Sequence, residues 1–398
     1  MFPMLEKLTK EYRAYKIVEH WKPQNEILLV KDLTNPKKKL GKLFAYLYEK
    51  TKKEYTHFPK RKDGSDPFIH PLNLVWNLRK AGVTDIISLS VALIHDLVEE
   101  RVDLHKKEKN IKEDDKGIKI LDEYEIETMQ ELEKEIKEFC KNTKLNCDFS
   151  DEMIEILKLL TRHKRDFYYR SISAIFAHKD DQIKEKAILI KLSDRIHNIQ
   201  SLKSYDEAGR IYQAFKNLFI LNNSKNYLIK KYGKEASSER ENDLLTKMYK
   251  KCAKATYDAF SRVCDICFHK GIEDVTSMLQ LAFRKFVHEK KGLWTVTKID
   301  AKETHPLRLY QGIIRKYDAR LHQEWKKFET MKKDEMNYVR KFFAEYKFSK
   351  EQLQSILDYK DSFALKEVIA RMLYKRNYVI LNFGCNELCS RGQICMKC

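Results

Sequence analysis

The chain has 398 residues, of which 43% are hydrophobic, and this proportion indicates a folded protein of two or three domains and excludes a disordered one. Only 11 glycines and 7 prolines accompany abundant lysine, glutamate, leucine and isoleucine, which favours a mostly helical structure. The formal net charge of +19 predicts attraction to polyanions, such as a phosphorylated nucleotide, RNA or an acidic protein. No apolar run reaches the ~18 residues of a membrane span, and the first residues lack the apolar segment of a secretory signal. We therefore expect a cytoplasmic protein with no membrane contact.

Two helices separated by a loop are predicted ahead of the most apolar stretch of the chain. Leucines and aromatic residues recur at helical spacing over residues 38–55. Residues 57–70 contain two prolines, a glycine and a cluster of charges, which predicts a loop. Pro71 favours the start of a further helix over residues 71–81, so His70 is expected directly before that helix.

The most apolar stretch, residues 84–101, is predicted to form one fully buried helix. Thr84 or Asp85 is able to cap its N-terminus, and nearly every face is apolar up to Val98. Such a helix packs inside a domain rather than on its surface. We expect the rest of the domain to fold around it.

A histidine and an aspartate, His95 and Asp96, lie in this apolar stretch. A buried imidazole and carboxylate are unfavourable unless something compensates for their burial. A bound cation is the simplest compensation, since it attracts the carboxylate and accepts the imidazole lone pair. A core histidine bonded to its neighbouring aspartate is the alternative. Glu99 lies one turn from His95 and Glu100 one turn from Asp96, so two further carboxylates are expected close by.

A charged segment and a series of helices follow. Residues 101–124 are predicted to be irregular, and residues 125–143 to form a charged, solvated amphipathic helix. Further helices are predicted over residues 150–161 and 164–179, and a second largely buried helix over residues 184–202. Three polar residues share one side of this last helix: Asp194, Asn198 and Ser201.

The second half of the chain is more basic. Residues 206–270 predict two or three helices rich in lysine and tyrosine, and residues 311–375 are again helical and charged. Residues 293–299 form the one stretch with β-like composition. An all-α fold is therefore predicted for the chain as a whole.

Two histidines and two aspartates from three separate segments form a candidate metal site: His70, His95, Asp96 and Asp194. Such mixed nitrogen and oxygen donors suit a divalent transition ion, and four ligands in an octahedral shell leave positions open for water and substrate. A bound ion of this kind lowers the pKa of a water ligand and polarises a phosphoryl oxygen. A nearby carboxylate, Glu99 or Glu100, is able to position that water or take its proton. Arg61 and Lys62 are suited to clamp substrate phosphates.

Three motifs in the chain resemble the HD hydrolase domain of the RelA/SpoT homologue family. They are Arg61-Lys62-x-Gly64-x-x-Pro67-Phe-x-His70-Pro71, Ala92-Leu-Ile-His95-Asp96-x-x-Glu99-Glu100 and Ile190-Lys-Leu-Ser-Asp194-Arg-x-His-Asn198. The resemblance covers residues 38–205. It implies an all-helical HD-type phosphohydrolase domain that uses manganese to remove the 3′-pyrophosphate from guanosine tetra- and pentaphosphate, the alarmones of the stringent response.

The resemblance also implies a role for each matching residue. The metal ligands would be His70, His95, Asp96 and Asp194. The acidic pair that handles the attacking water would be Glu99 and Glu100. The residues that contact the nucleotide would be Arg61, Lys62, Asn198 and, as a weaker match, Ser201.

The chain also departs from the family pattern. Phe68 replaces the usual tyrosine, and Glu100 stands where aspartate is common. The charged segment 101–150 is longer than the family's. These differences keep open another phosphorylated nucleotide as substrate. The high net charge and the region rich in lysine and tyrosine keep open a nucleotide- or RNA-binding module with weak catalysis. No counterpart of the family's synthetase domain is found beyond residue 205, so hydrolysis alone is expected.

The predicted organisation is therefore an N-terminal extension (1–37), an HD-type domain (38–205) and a mostly helical, basic C-terminal region (206–398). That region ends in a cysteine-rich tail whose ligand types suit structural zinc, the alternative being a reduced tail without metal: Cys385, Cys389, Cys395 and Cys398. Cys264 and Cys267 are predicted to be core thiols on a helix.

Overall fold

The structure is a computed structural model that describes residues 16, 18–145, 148–163, 166, 168–233, 243–288, 312–380 and 383. These residues form α-helices and short 3₁₀ turns and contain no β-strand, which confirms the predicted all-α class for this part of the chain. The chain divides into two compact units. The N-terminal unit comprises Trp21–Ser201 and Asn242–Met248, and the C-terminal unit comprises Met1–His20, Leu202–Glu241 and Tyr249–Cys398. Within the described ranges, none of the helices has both the length and the apolar character that crossing a lipid bilayer requires.

The N-terminal unit is a bundle centred on two buried helices. Its helices are, in chain order, α1 Val30–Leu33, α2 Lys39–Tyr55, α3 Ile69–Ala81, α4 Ile86–Ile94, α5 Leu97–Glu108, α6 Asp115–Asn142, α7 Asp148–Leu160, α8 Tyr168–Ala177 and α9 Asp181–Gln200. Helix α4 packs against α2, α3 and α7, and α9 packs against α3, α4, α7 and α8. The side chains of α4 from Leu89 to Ile94 are fully buried. Burial of each large apolar side chain among them stabilises the fold by about 1.5–3 kcal/mol.

The predicted helix over residues 84–101 is wrong as one continuous element. Helix α4 ends at Ile94, His95 and Asp96 form a turn, and α5 begins at Leu97. Consecutive side chains of an unbroken helix point about 100° apart around its axis. The turn, in which Asp96 has φ −97° and ψ −2°, instead brings both polar side chains to one place.

The predicted irregular segment 101–124 is also wrong, because α5 continues to Glu108 and α6 begins at Asp115. Tertiary contacts support α5 in spite of its charges. Val102 is buried, and the Arg101 guanidinium donates two hydrogen bonds to the Glu54 carboxylate on α2, at 2.7 and 2.6 Å. The amino-acid composition of the segment does not predict these tertiary contacts.

Aspartate side chains cap the two central helices. Asp85 accepts from the backbone N–H groups of Ile87 and Ser88, at 3.3 and 3.0 Å, so one of the two predicted caps of α4 is confirmed. Asp180 accepts in the same way from the start of α9. The caps satisfy N–H groups that no helix can pair internally.

The C-terminal unit is built around one long buried helix. Its helices are α10 Glu207–Tyr232, α11 Leu244–Phe268 (which begins in the N-terminal unit), α12 Glu273–His288, α13 Ile313–Leu321, α14 Trp325–Phe342 and α15 Lys350–Tyr374. Helix α15 packs against α10, α12 and α14, and α13 packs against α14. The predicted helices over 206–270 and 311–375 are thus confirmed.

The cysteines divide between described and undescribed parts of the chain. Cys264 and Cys267 are buried on α11, as predicted, and burial raises the pKa of the Cys264 thiol to about 12. The β-like stretch 293–299 and the cysteine-rich tail 385–398 lie outside the described residues.

Candidate metal centre

Three helical segments bring donor atoms to one buried place in the N-terminal unit. His70 lies in the first turn of α3, His95 follows α4 directly, and Asp194 lies on α9. One donor atom from each lies within 4.8 Å of the other two, and all three side chains are buried. Residues distant in sequence therefore converge as the candidate metal site requires.

Asp96 lies against both imidazoles. Its Oδ2 is 3.1 Å from His70 Nε2, and its Oδ1 is 2.9 Å from His95 Nε2. Asp194 Oδ1 is 3.5 Å from His70 Nε2. Two donors that bind one ion at right angles, each at ~2.1 Å, lie about 3 Å apart. His70, His95 and Asp194 are therefore close enough together to hold one cation, and Asp96 lies between the two imidazoles.

His95 presents its Nε2 to the centre, against the Asp96 carboxylate. Its Nδ1–H donates to the backbone carbonyl of Ala92 at 2.9 Å, which leaves Nε2 facing the centre. That Nε2 is buried and lies 2.9 Å from Asp96 Oδ1, but the two groups are not aligned as a hydrogen bond. Burial opposes a charge on the ring, but the Asp96 carboxylate outweighs it and raises the pKa of His95. A cation at Nε2 would take the place of that proton.

His197 orients His70 from behind and was missed by the sequence analysis. The Nδ1 atoms of the two rings are 2.8 Å apart, so one must donate to the other. Burial, then the charges of His70 and Arg61, lower the pKa of His197 well below its usual value. A neutral His197 is able to accept the Nδ1–H of His70, which leaves His70 Nε2 as the ligand atom. The signal was available, because His197 is the histidine of the third motif.

Asp194 is held ionised by a half-buried lysine, Lys191, that was also missed. Lys191 Nζ lies 3.0 Å from Asp194 Oδ2, one turn earlier on α9. Burial by itself raises the pKa of Asp194, but the Lys191 charge outweighs it and lowers that pKa to about 2. The pair leaves Asp194 Oδ1 facing His70.

The two glutamates of α5, Glu99 and Glu100, lie beside the centre, and the pKa of each is raised. Burial, then the charge of Asp96, raise the pKa of Glu99, whose Oε1 accepts from the backbone N–H of Arg162 at 2.7 Å. The same two causes raise the pKa of Glu100 to about 7. Glu100 is thus suited to exchange a proton near neutral pH.

Two of the four predicted substrate residues, Arg61 and Asn198, have hydrogen bonds that connect them to the metal centre. Arg61 Nη2 donates to Asn198 Oδ1 at 3.2 Å, and Asn198 Nδ2 donates to Asp194, so these two residues adjoin the centre. Ser201 Oγ donates to the backbone carbonyl of His197 at 2.8 Å. Lys62 is exposed, and its contact with a substrate stays a prediction.

Tyr55 is a further residue of the centre that sequence reasoning missed. Its hydroxyl is buried and has no hydrogen-bond partner among the described residues. Burial, then the charges of Asp96 and Glu100, raise its pKa well above the usual value. Phe68, which replaces the family's tyrosine, is buried and packs edge-on against Tyr48 and Tyr55.

A second group of donors lies elsewhere in the N-terminal unit, on α6 and after α7: Asp122, Glu125 and His163. Glu125 and His163 form an ion pair there. Two of these three residues are partly exposed, whereas His70, His95 and Asp194 are all buried.

The fully buried group is therefore the candidate metal centre, and its donors are nitrogen and carboxylate oxygen. The comparison with known proteins adds no relative. No family model matches this chain, and no curated protein or solved structure matches it.

Proposed function

We propose that the chain is a metal-dependent phosphohydrolase that removes the 3′-pyrophosphate from guanosine tetra- and pentaphosphate. The observation that carries the hydrolase proposal is the convergence of His70, His95 and Asp194, with Asp96 between the imidazoles, next to Glu99 and Glu100. The three motifs that resemble the alarmone hydrolases support the choice of substrate.

The four donors would hold Mn²⁺, because imidazole nitrogen and carboxylate oxygen suit this ion better than a thiophilic one. When bound, the ion supplies Lewis-acid chemistry to water and to a phosphoryl oxygen. His197 keeps the ring of His70 in its ligand orientation. Lys191 keeps Asp194 ionised over the pH range in which the enzyme would work.

Glu100 would accept the proton of the attacking water, because its pKa of about 7 allows it to take up and release a proton near neutral pH. Glu99 is fixed by the Arg162 backbone N–H and would orient the same water. Tyr55 offers a neutral hydroxyl beside Asp96 and Glu100, able to donate to a substrate oxygen.

Arg61 would contact the 3′-pyrophosphate. Its guanidinium is oriented by Asn198 and retains other N–H donors for phosphate oxygens. Lys62, which is exposed, would add a second positive charge, while Asn198 and Ser201 would contact the nucleotide. Arg61 and Lys62 would neutralise the charge of the leaving pyrophosphate.

A substrate panel tests the proposal. The full-length chain is incubated with Mn²⁺ and guanosine tetraphosphate, guanosine pentaphosphate or other 2′- and 3′-phosphorylated nucleotides, and released pyrophosphate and phosphate are quantified. We expect pyrophosphate from the two alarmones, no product from the Asp96→Asn variant and unchanged turnover in Asp151→Asn, an exposed control.

Another phosphorylated nucleotide is the second candidate substrate. Phe68 favours it, because a buried phenyl ring offers no hydroxyl at a position where the family usually has one. Release of phosphate from a different member of the panel, with no alarmone turnover, would establish this alternative. Nucleotide binding without any product would instead favour a binding module.

Two further proposals concern the C-terminal half. The basic surface would attract RNA or an acidic protein, with binding that weakens as salt rises. The four cysteines of the tail would bind one zinc ion per chain. Zinc content of the full chain, compared with that of a chain lacking residues 385–398, tests this directly.

A further inference from the structure

A cavity of about 300 Å³ lies in the C-terminal unit, and none of its lining residues belongs to the metal centre. Helix α13, the first turns of α10 and α14, and one face of α15 contribute its walls. Its volume lies at the lower end of the ~300–1,000 Å³ typical of small-molecule sites. Paired and unpaired charges inside it determine what it is able to bind.

Arg320 is an unpaired cation in the wall of this cavity. Its guanidinium carbon lies 3.8 Å from the ring centroid of Tyr212 and 5.4 Å from that of Phe328. Its Nε is buried without a hydrogen-bond acceptor, and it joins no ion pair among the described residues. Because stacking occupies the faces of a guanidinium and not its edge, its N–H donors stay available for a carboxylate.

Asp358 is the matching unpaired acid, on α15. Gln354 Nε2 donates to its Oδ1 at 3.0 Å, but no ion pair among the described residues includes it. Burial, then the charge of Asp361, raise its pKa to about 7. A ligand cation would favour the ionised form of this carboxyl.

The other charged side chains of the cavity already have partners, either in ion pairs or, for Asp206, in a helix cap. Lys316 Nζ lies 2.6 Å from both Glu335 and Asp361. Lys332 lies 3.4 Å from Glu329. Asp206 caps α10 by accepting from the Gly209 backbone N–H at 2.8 Å.

Two aromatic side chains of α14 contribute to the apolar part of the wall. Phe328 is buried, and Trp325, the first residue of α14, is 55% exposed. What remains for a ligand is one cation, one carboxyl group and an aromatic surface. A ligand with one carboxylate, one ammonium group and an apolar ring complements all three.

We propose that this cavity binds a free α-amino acid with an aromatic side chain. The ligand carboxylate pairs with Arg320, its ammonium group pairs with Asp358, and its ring packs against Trp325 and Phe328. No residue of this site belongs to the metal centre, so the proposed amino-acid binding is tested separately from the proposed hydrolase activity.

Calorimetric titration of the full-length protein with L-phenylalanine tests the proposal. We expect one site per chain. Phenylpropionate lacks the ammonium group and phenethylamine lacks the carboxylate, so each should bind at least about tenfold more weakly, a loss of ~1.4 kcal/mol or more.

Variants of Asp358 and Arg320 test whether these two side chains pair with the ammonium group and the carboxylate of the ligand. Asp358→Asn and Arg320→Lys nearly preserve size, and each should weaken L-phenylalanine at least about tenfold. The exposed controls Asp334→Asn and Lys333→Met, on α14, should bind as the wild type does. Circular dichroism of each variant confirms that it is folded.

Three results would overturn the proposal. The first is no binding of L-phenylalanine, L-tyrosine or L-tryptophan up to about 10 mM. The second is equal binding of phenylpropionate and L-phenylalanine. The third is binding of a nucleoside monophosphate in place of the amino acids, which would assign Arg320 to a phosphate.

Discussion

His95 and Asp96 are consecutive residues whose side-chain atoms Nε2 and Oδ1 lie 2.9 Å apart at the turn between α4 and α5. Burial penalises a charge on either group, but the attraction of the neighbouring groups outweighs that penalty, so the pKa of His95 is raised and the pKa of Asp96 is lowered. The hydrogen bond from His95 to Ala92 fixes which nitrogen faces the centre. At the scale of single residues, hydrogen bonds to the protein therefore determine which atom of each side chain faces the metal centre.

His197 gives the first prediction at this scale. Replacing it with leucine removes the partner of His70 Nδ1 and frees that ring to rotate. We expect the affinity for Mn²⁺ to fall roughly 10–100-fold, as is usual when the hydrogen-bond partner of a metal ligand is lost. Titration calorimetry measures it. His197→Asn, which keeps an acceptor, should recover part of the loss; equal affinities of wild type and His197→Leu would contradict the assigned role.

Glu100 gives the second prediction at the residue scale. Its pKa is about 7 in the folded chain and about 4.5 in a solvated one, so the folded chain holds this proton more tightly. The contribution to stability is therefore nil below about pH 4.5, becomes increasingly unfavourable between about pH 4.5 and 7, and is constant above that range. In chelator-treated protein, the wild type should lose about 2 kcal/mol more than Glu100→Gln between pH 5.5 and 8.

Urea unfolding at the two pH values measures this difference. Parallel changes in the wild type and in Glu100→Gln would show that the carboxyl group titrates normally, and would remove the basis for its role as proton acceptor.

At the scale of elements, one face of α9 supplies several parts of the centre. His197 and Asn198 follow Asp194 by three and four residues, and Lys191 precedes Asp194 by one turn. This helix packs against α3 and α4, which bring His70 and His95. The geometry of the centre therefore depends on two helix–helix contacts.

The cap of α4 gives a prediction at this scale. Asp85→Ala removes the acceptor of two N–H groups at the start of the helix that positions His95. We expect the free energy of unfolding to fall by about 1 kcal/mol, measured by urea titration, with Mn²⁺ affinity nearly unchanged. Asp85→Asn keeps an acceptor oxygen and should retain most of the stability. If Asp85→Ala were as stable as the wild type, the cap would not support this helix.

The sequence predicted the donors and most helices, because periodicity and motif spacing are local properties. It predicted Asp194 and Asn198 on one side of a buried helix, and both do lie beside the centre. It missed the turn at His95, since apolar composition is the same for a broken and an unbroken helix. It missed Tyr55 because the relevance of this residue comes from packing between elements distant in sequence, whereas His197 stands in the third motif and was given no role.

At the scale of the whole molecule, the metal centre lies entirely within the N-terminal unit, and the amino-acid cavity entirely within the C-terminal unit. The chain's charge of +19 is consistent with polyanionic ligands at either unit. Because the two units have separate cores, their unfolding transitions need not coincide.

Metal binding gives a prediction for the whole chain. Mn²⁺ at about 100 times its Kd should raise the free energy of unfolding of the N-terminal unit by about 2.7 kcal/mol, because only the folded chain assembles the donors. Differential scanning calorimetry with and without Mn²⁺ measures the shift. The Asp194→Asn variant should show none, and an equal shift in that variant would place the ion elsewhere.

The most direct test is the number of Mn²⁺ ions bound per chain, measured from free Mn²⁺ by electron paramagnetic resonance. The wild type is compared with the His95→Ala/Asp96→Asn double variant, after circular dichroism has shown that both are folded. We expect one tightly bound ion in the wild type and none in the double variant. One tightly bound ion in both proteins, or in neither, would contradict a cation held by His70, His95, Asp96 and Asp194.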